Sequence, residues 1–221
     1  MSDIYEVIKS RHSVRSYTNK KIEGKTKDEL EKIIEECNKE GNLDIKLVLN
    51  EPEAINPNYG TFKNVKNYIV LCGKIDKDLE KKCGYYGEKI VLKAQELGLN
   101  TCWIGLTYDK NKIPFKIPAE ERLIIVISVG YGENNGVSHK TKTLDKVSKT
   151  TENLPDWYKK GIEYALLAPT AINQQKFKFK LIGENEVKAT TSFGFFAKVD
   201  LGIAKYHFEL GAGKENFKWA E

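Results

Sequence analysis

Tyr86–Leu106, YGEKIVLKAQELGLNTCWIGL, decides the fold class. Ile90, Val91, Ala94 and Leu97 recur at helical spacing, so the first part is a helix with one apolar face. Gly98 stands where a helix closes on a left-handed residue, and Thr101–Leu106 then runs on as a strand. Arg122–Val129, RLIIVISV, is a second strand, apolar enough to be buried on both faces. Helices and strands that alternate in this way specify an α+β or α/β chain.

Upstream, Asp3–Arg11 places Ile4, Val7 and Ile8 on one face of a short helix that Ser2 is positioned to cap. Thr26 and Glu29 have the spacing of a capping box, ahead of Leu30, Ile33, Ile34 and Cys37 at core spacing, with an end near Gly41. Asp44–Leu49 and Asn67–Cys72 read as strands around the loop Glu51–Asn64. The polar stretch Gly132–Pro155 is the candidate boundary. Beyond it, Asp156–Ala168 reads as a helix through Tyr158, Ile162, Ala165 and Leu166, and Lys176–Leu181 alternates as a half-exposed strand does. Asp200 is placed to cap a last helix bearing Leu201, Ala204 and Phe208.

The second part echoes the first. Asp28–Leu49 parallels Asp156–Ile182, and GEKIVLKAQELGLNTCW parallels LGIAKYHFELGAGKENFKW. This predicts a duplication, with a first half at residues 1–147 and a truncated second half at 148–221.

Charge and composition exclude several classes. Among 221 residues, 40% hydrophobic and 30% charged is an ordinary globular balance, which argues against disorder. The longest apolar run, around Leu123–Val129, is too short to span a bilayer, and the N-terminus lacks a secretory apolar stretch; a cytoplasmic protein without membrane contact is expected. Cys37, Cys72, Cys83 and Cys102 form no C-x-x-C pair, and His139 and His207 join no ligand set, so neither disulfides nor a metal site are expected. Lys+Arg 36 against Asp+Glu 31 gives +5, an excess that small anions fit as well as a polynucleotide does.

Arg11-His12-Ser13-Val14-Arg15 is the densest functional candidate. In an extended segment Arg11, Ser13 and Arg15 project to one side and can converge on a phosphate; the alternative is a solvated basic turn. Gly130, Gly132 and Gly136 follow a strand as dinucleotide-binding glycines do, but the spacing is wrong and no helix follows. The aromatics Tyr85, Tyr86, Trp103, Phe193, Phe195 and Phe196 are read mainly as core, with the dense SFGFF cluster a candidate for ring stacking.

RHSVRSY resembles the N-terminal flavin-phosphate motif of the nitroreductase family. Tyr86–Leu106 resembles that family's central helix and its Gly-Leu-x-x-x-Trp-Ile-Gly stretch, and VGYGENNGVSHKTKTL its terminal strand and a basic pair, here Lys140 and Lys142. APTAINQQKF at Ala168–Phe177 resembles the Ala-Pro-Ser-x-x-Asn-x-Gln-Pro-Trp motif, with Thr170 for Ser, and with Lys176 and Phe177 for Pro and Trp. In most of the family this motif precedes the central helix, whereas here it comes last. The resemblance implies an α+β nitroreductase-like fold with a central mixed or antiparallel sheet flanked by helices, the two related halves forming a pseudo-dimer. It also implies one FMN, with NADH or NADPH as electron donor and a small nitroaromatic or quinone as acceptor in a ping-pong reaction, in a monomer or homodimer. By the same resemblance Arg11, His12, Ser13, Lys140 and Lys142 hold the phosphate and Arg15 reaches the pyrimidine edge. Trp103, Ile104, Gly105 and Leu106 line the ring, and Pro169, Thr170, Ala171 and Asn173 form the opposite wall. No catalytic side chain is needed, because the cofactor carries the chemistry. The alternatives are a flavin- or nucleotide-binding protein without turnover, and a basic RNA-interaction protein built on KFKFKL.

Overall fold

The computed structural model describes residues 3–55, 62–150 and 152–220. The Ser2 cap and the middle of the Glu51–Asn64 loop lie outside the described residues. In chain order the elements are α1 (Ile4–Ser10), α2 (Gly24–Gly41), β1 (Lys46–Val48), β2 (Tyr68–Lys74), α3 (Leu79–Glu96), β3 (Asn100–Ile104) and β4 (Glu121–Gly130). They continue as α4 (Leu144–Val147), α5 (Asp156–Leu166), β5 (Phe177–Ile182), β6 (Glu186–Thr191), α6 (Ala197–Ala212) and β7 (Lys218–Trp219). Two compact units result: Ser10–Leu79 with Lys89–Ser138, and Met1–Lys9 with Glu80–Glu88 and His139–Glu221. Helix α3 contributes residues to both.

The first unit is built on an antiparallel sheet in the order β1-β2-β4-β3. Every β4 residue from Leu123 to Gly130 is buried, Ser128 included, in keeping with the apolar run Leu123–Ile127. On one face Tyr68, Val70, Val126 and Ile104 pack with Val48, Ala54, Ile55 and Ile113, while the alternate residues Ile69, Leu71 and Ile127 are buried as well. Helix α2 buries Leu30, Ile34 and Cys37 but has no capping box. The chain turns helical at Gly24, whose φ of 55° only glycine adopts without strain, so Thr26 lies inside the helix and Glu23 is the N-cap. Helix α3 starts at Leu79, about two turns before the periodicity became readable at Tyr86, and Gly98 closes it at φ 76° as expected. All four cysteines are reduced and buried.

In the second unit β5 pairs antiparallel with β6, and β6 pairs parallel with β7. Its core is aromatic: Phe179 stacks on Phe208 at 4.7 Å between ring centroids, and Tyr158 meets Phe208 edge-on at 5.5 Å. Phe177 and Phe179 are fully buried, so the aromatics of KFKFKL are core residues and not a platform for bases. Helix α5 lies close on α6 because Gly161 and Gly211 leave room: a Cβ at Gly161 would sit 2.8 Å from the Phe208 ring. The α3 residues of this unit also meet α6 at glycines, Gly84 opposite Val199 and Gly202 opposite Lys81. Close to that crossing, Glu88 and His207, both fully buried, are bonded at 2.9 Å, and the other His207 nitrogen meets the Tyr164 carbonyl at 3.1 Å.

The connectivities of the two sheets correspond. In the first, α3 links β2 to β3, which run parallel with antiparallel β4 between them. In the second, α6 links β6 to β7, which run parallel and touch directly. The second order is the first with β4 left out.

Candidate functional site

Helix α1 ends at Ser10 and the chain continues as an extended segment along the free edge of β3. Ser13 bridges Thr101 in parallel register, and Val14 N donates to Thr101 O at 2.9 Å. Val14 and Tyr17 are buried, and the Tyr17 hydroxyl donates to Val14 O at 2.8 Å while bonded to Ser128 Oγ at 2.8 Å. Burial pushes the Tyr17 phenol well above the usual range, so it stays a neutral clamp.

Arg11, Ser13 and Arg15 alternate along the same segment, and all three act on Cys102. Burial raises the Cys102 thiol, whereas Arg15, a hydrogen bond from Ser13, and Arg11 all pull it down. Two guanidiniums and a hydroxyl therefore lie near enough to the buried Cys102 thiol of β3 to act on it. Arg11 is buried and Arg15 exposed. His12 is held through Nδ1 by Asn135 O at 3.0 Å. The glycines after β4 serve this segment: Gly136 has φ 67°, and a Cβ there would lie 2.8 Å from His12 Cβ and 3.0 Å from Ser13 O. Those glycines are a cradle for the Arg-His-Ser backbone and not a dinucleotide turn.

Downstream in the same unit, the β3–β4 ladder ends at Ile104–Val126, so the amides of Gly105 and Leu106 lie beyond it. Leu106 is 77% exposed and Trp103 half-buried.

The second unit holds the APTAINQQ loop. Its backbone is strained, with Ile172 at φ 47°, Asn173 at 55° and Gln175 at 43°. The side chains that enforce this are found within the loop and around it. Gln175, buried, accepts from Lys142 N at 2.9 Å and donates to Lys140 O at 2.8 Å and Asn173 Oδ1 at 2.7 Å. Asn173 Nδ2 donates to Lys140 O at 2.9 Å, and Thr170 Oγ1 accepts from Gln175 N at 3.1 Å. The Lys142 ammonium donates to Gln174 O at 2.7 Å and Gln175 O at 2.9 Å. The structure thus gathers Lys140, Lys142, Thr170, Ala171 and Asn173 in one loop cluster, with Lys142 committed to main-chain carbonyls.

The carboxylate beneath this loop was missed by sequence reasoning. Asp200 is not the cap of α6, which begins at Ala197 after a left-handed Phe196 (φ 53°). Instead its Oδ1 accepts from Ala171 N at 3.0 Å and its Oδ2 from Gln174 Nε2 at 2.6 Å. Burial raises its pKa to about 6, against the opposing pull of Gln174 and the Ala171 amide. Its folded pKa exceeds the unfolded one, so the stability it adds is complete below about pH 4 and lost as pH rises through about 6. Asp200→Asn is expected to abolish this slope, on the order of 3 kcal/mol across that interval. Urea unfolding at pH 4 and pH 7, wild type minus variant, checks it; a difference constant with pH refutes it.

Asp44, Cys72 and Glu121 also bring ligand atoms within 4.8 Å of one another, but Lys46 already pairs with Asp44, and burial pushes the Cys72 thiol to about 12, a poor metal ligand at neutral pH.

Among the described residues no helix is long and apolar enough to cross a membrane. A comparison with curated proteins finds no match. Among solved structures, a "putative nitroreductase" of Thermotoga maritima is 28% identical, with 95% of this chain and 83% of that one covered at a TM-score of 0.68. A "putative NAD(P)H:FMN oxidoreductase" of Staphylococcus epidermidis shares the fold at 16% identity and TM-score 0.55, over 68% of this chain and 97% of that one. So does a "putative NADH dehydrogenase/NAD(P)H nitroreductase" of Parabacteroides distasonis, at 19% and 0.53, over 69% and 99%. The family model described as "Putative TM nitroreductase" matches residues 3–212, a span that takes in the Arg-His-Ser segment, the strand it lies on and the strained loop. By that match the chain belongs to this nitroreductase family.

Proposed function

We propose that the protein is an FMN-dependent oxidoreductase that passes electrons from NADH or NADPH to a small acceptor, such as a nitroaromatic or a quinone, by a ping-pong route. The observation that carries this is the Arg11–Arg15 segment laid along β3 through Ser13, with Arg11, Ser13 and Arg15 all acting on the one Cys102 thiol. An FMN phosphate near charge −2 requires such a donor set: guanidiniums for charge-assisted bonds and a hydroxyl for a third. The chemistry of these donors fits the group. Family membership and the names of the Staphylococcus and Parabacteroides proteins are in keeping with it.

FMN supplies redox chemistry that no side chain offers. The task of the chain is to bind and to orient. Arg11 and Ser13 hold the phosphate, with His12 fixing the backbone through Asn135. Arg15, solvent-facing, is assigned to the pyrimidine edge, where positive charge favours the reduced anionic ring. The stretch Trp103–Leu106 offers the ring its main-chain amides, and Gly105 permits close approach. Pro169, Thr170, Ala171 and Asn173 are assigned flavin contacts by the family resemblance, with Lys140 and Lys142 as the members that fix that loop. The halves at 1–147 and 148–221 are proposed to descend from a duplication, a reading supported by the corresponding sheet connectivities.

The test is spectroscopic. Purified protein mixed with FMN and freed of excess should stay yellow, bleach with NADH or NADPH under anaerobic conditions, and recover colour on addition of an acceptor. Protein that retains no flavin overturns the proposal, and retained flavin that neither nucleotide bleaches leaves only a binding protein. Arg11→Ala is expected to remove a charge-assisted bond worth about 1.5–3 kcal/mol and to weaken FMN at least about tenfold in a fluorescence titration. An unchanged affinity, with the fold intact by circular dichroism, sinks the assignment.

A further inference from the structure

Within the second unit, two loops present large apolar side chains to water. Phe193 is 99% exposed, Phe195 73% and Ile172 89%. Such side chains are expected to be covered, and here they sit on loops braced against each other. Gln174 Nε2 donates to Phe195 O at 2.7 Å and Lys176 Nζ to Phe193 O at 2.8 Å. Gly194, between the two phenylalanines, lies against these same braces: a Cβ there would come 2.6 Å from Gln174 Oε1 and 2.9 Å from Lys176 Nζ. The rings are therefore presented by a cross-linked backbone.

Positive charge surrounds the same loops. Lys178 and Lys176 both act on Lys142, which burial and these two charges hold below the usual lysine range. Each ammonium is tethered to main-chain carbonyls, Lys178 to that of Lys146, and among the described residues none is paired with a carboxylate. Lys142 and Lys176, fixed on the loops that carry the exposed rings, with Lys178 acting on Lys142, complement a ligand that is aromatic at one end and anionic at the other.

We propose that Phe193, Phe195 and Ile172, with Lys142, Lys176 and Lys178, select a single-ring aromatic anion such as an aromatic carboxylate as the acceptor. This rests on the oxidoreductase reading for what the ligand is for, though not for whether it binds. An anionic membrane offers similar chemistry, but three apolar side chains give little insertion, and lysines tied to carbonyls cannot spread over a field of headgroups. The fixed geometry suits one discrete carboxylate.

Isothermal titration of the full FMN-loaded chain tests this with 4-nitrobenzoate, its neutral counterpart 4-nitrobenzyl alcohol, and the non-aromatic cyclohexanecarboxylate. The first should bind at least about tenfold more tightly than either other ligand. The Phe193→Ala/Phe195→Ala protein should lose most of that affinity, and Lys176→Gln should weaken the nitrobenzoate but not the alcohol. Equal affinity for charged and neutral rings, an unaltered double variant, or partition onto phosphatidylserine vesicles without nitrobenzoate binding each overturns the proposal. NADH and NADPH bleaching, read separately, keeps a failure of the flavin assignment distinct from a failure here.

Discussion

Glu88→Ala is expected to lower the free energy of unfolding by about 3–5 kcal/mol, the cost of breaking a buried pair from one side. The reason lies in proton bookkeeping at His207. The Tyr164 carbonyl can only accept, so the nitrogen facing it, Nδ1, carries hydrogen. The other nitrogen then either donates to the Glu88 carboxylate or accepts the proton of a neutral Glu88. In both arrangements the pair is neutral overall and both ring nitrogens of His207 are satisfied. Alanine removes the buried bond to His207 Nε2. Glu88→Gln offers an N–H to a neutral imidazole and is expected to cost less than about 1.5 kcal/mol. Denaturant unfolding of both variants decides the matter: equal losses would mean that the amide, although it keeps the volume, does not replace the carboxylate's bond to His207.

The second large effect is expected at Gly84. A Cβ there would stand 2.0 Å from Val199 O, and one at Gly202 would stand 2.1 Å from Lys81 O. Both obstacles are backbone, so no rotamer change relieves them and the helices must part. Gly84→Ala should therefore destabilise by about 3 kcal/mol or more, outweighing the roughly 1 kcal/mol that alanine contributes to an isolated helix. Gly202→Ala should do the same. The double variant should cost clearly less than the sum, because one separation accommodates both methyls. Additive losses in urea unfolding would show that the two glycines do not share a crossing. The crossing matters to the loop as well: α6 carries Asp200, whose carboxylate holds Ala171 and Gln174.

These two predictions also show where sequence reading reached and where it stopped. The helix of Ile90, Val91 and Ala94, its Gly98 terminus and the apolar β4 were legible because each is a local pattern that the fold obeys. The first two turns of α3 were not, since Lys81, Lys82 and Gly84 break the apolar period and Gly84 answers to α6, more than a hundred positions away in the chain. The Glu88–His207 pair hides for the same reason. Thr26 and Asp200 misled because capping residues are identified by type, and both types also serve inside helices. The Arg11–Arg15 segment was legible as an alternation; that Gly136 and Tyr17 hold it in place was not. Strands β6 and β7 escaped because Glu186–Thr191 is half-exposed and Lys218–Trp219 is only two residues long.

The left-handed backbone at Ile172 has one more implication. A β-branched residue at φ 47° stores about 1–3 kcal/mol that a relaxed conformation would release. What prevents the recoil is a handful of amide and carboxylate contacts from Gln174, Gln175 and Asp200. The segment is in effect a cocked spring with a polar catch, and any bound molecule that takes over part of the catch draws on the tension stored behind it.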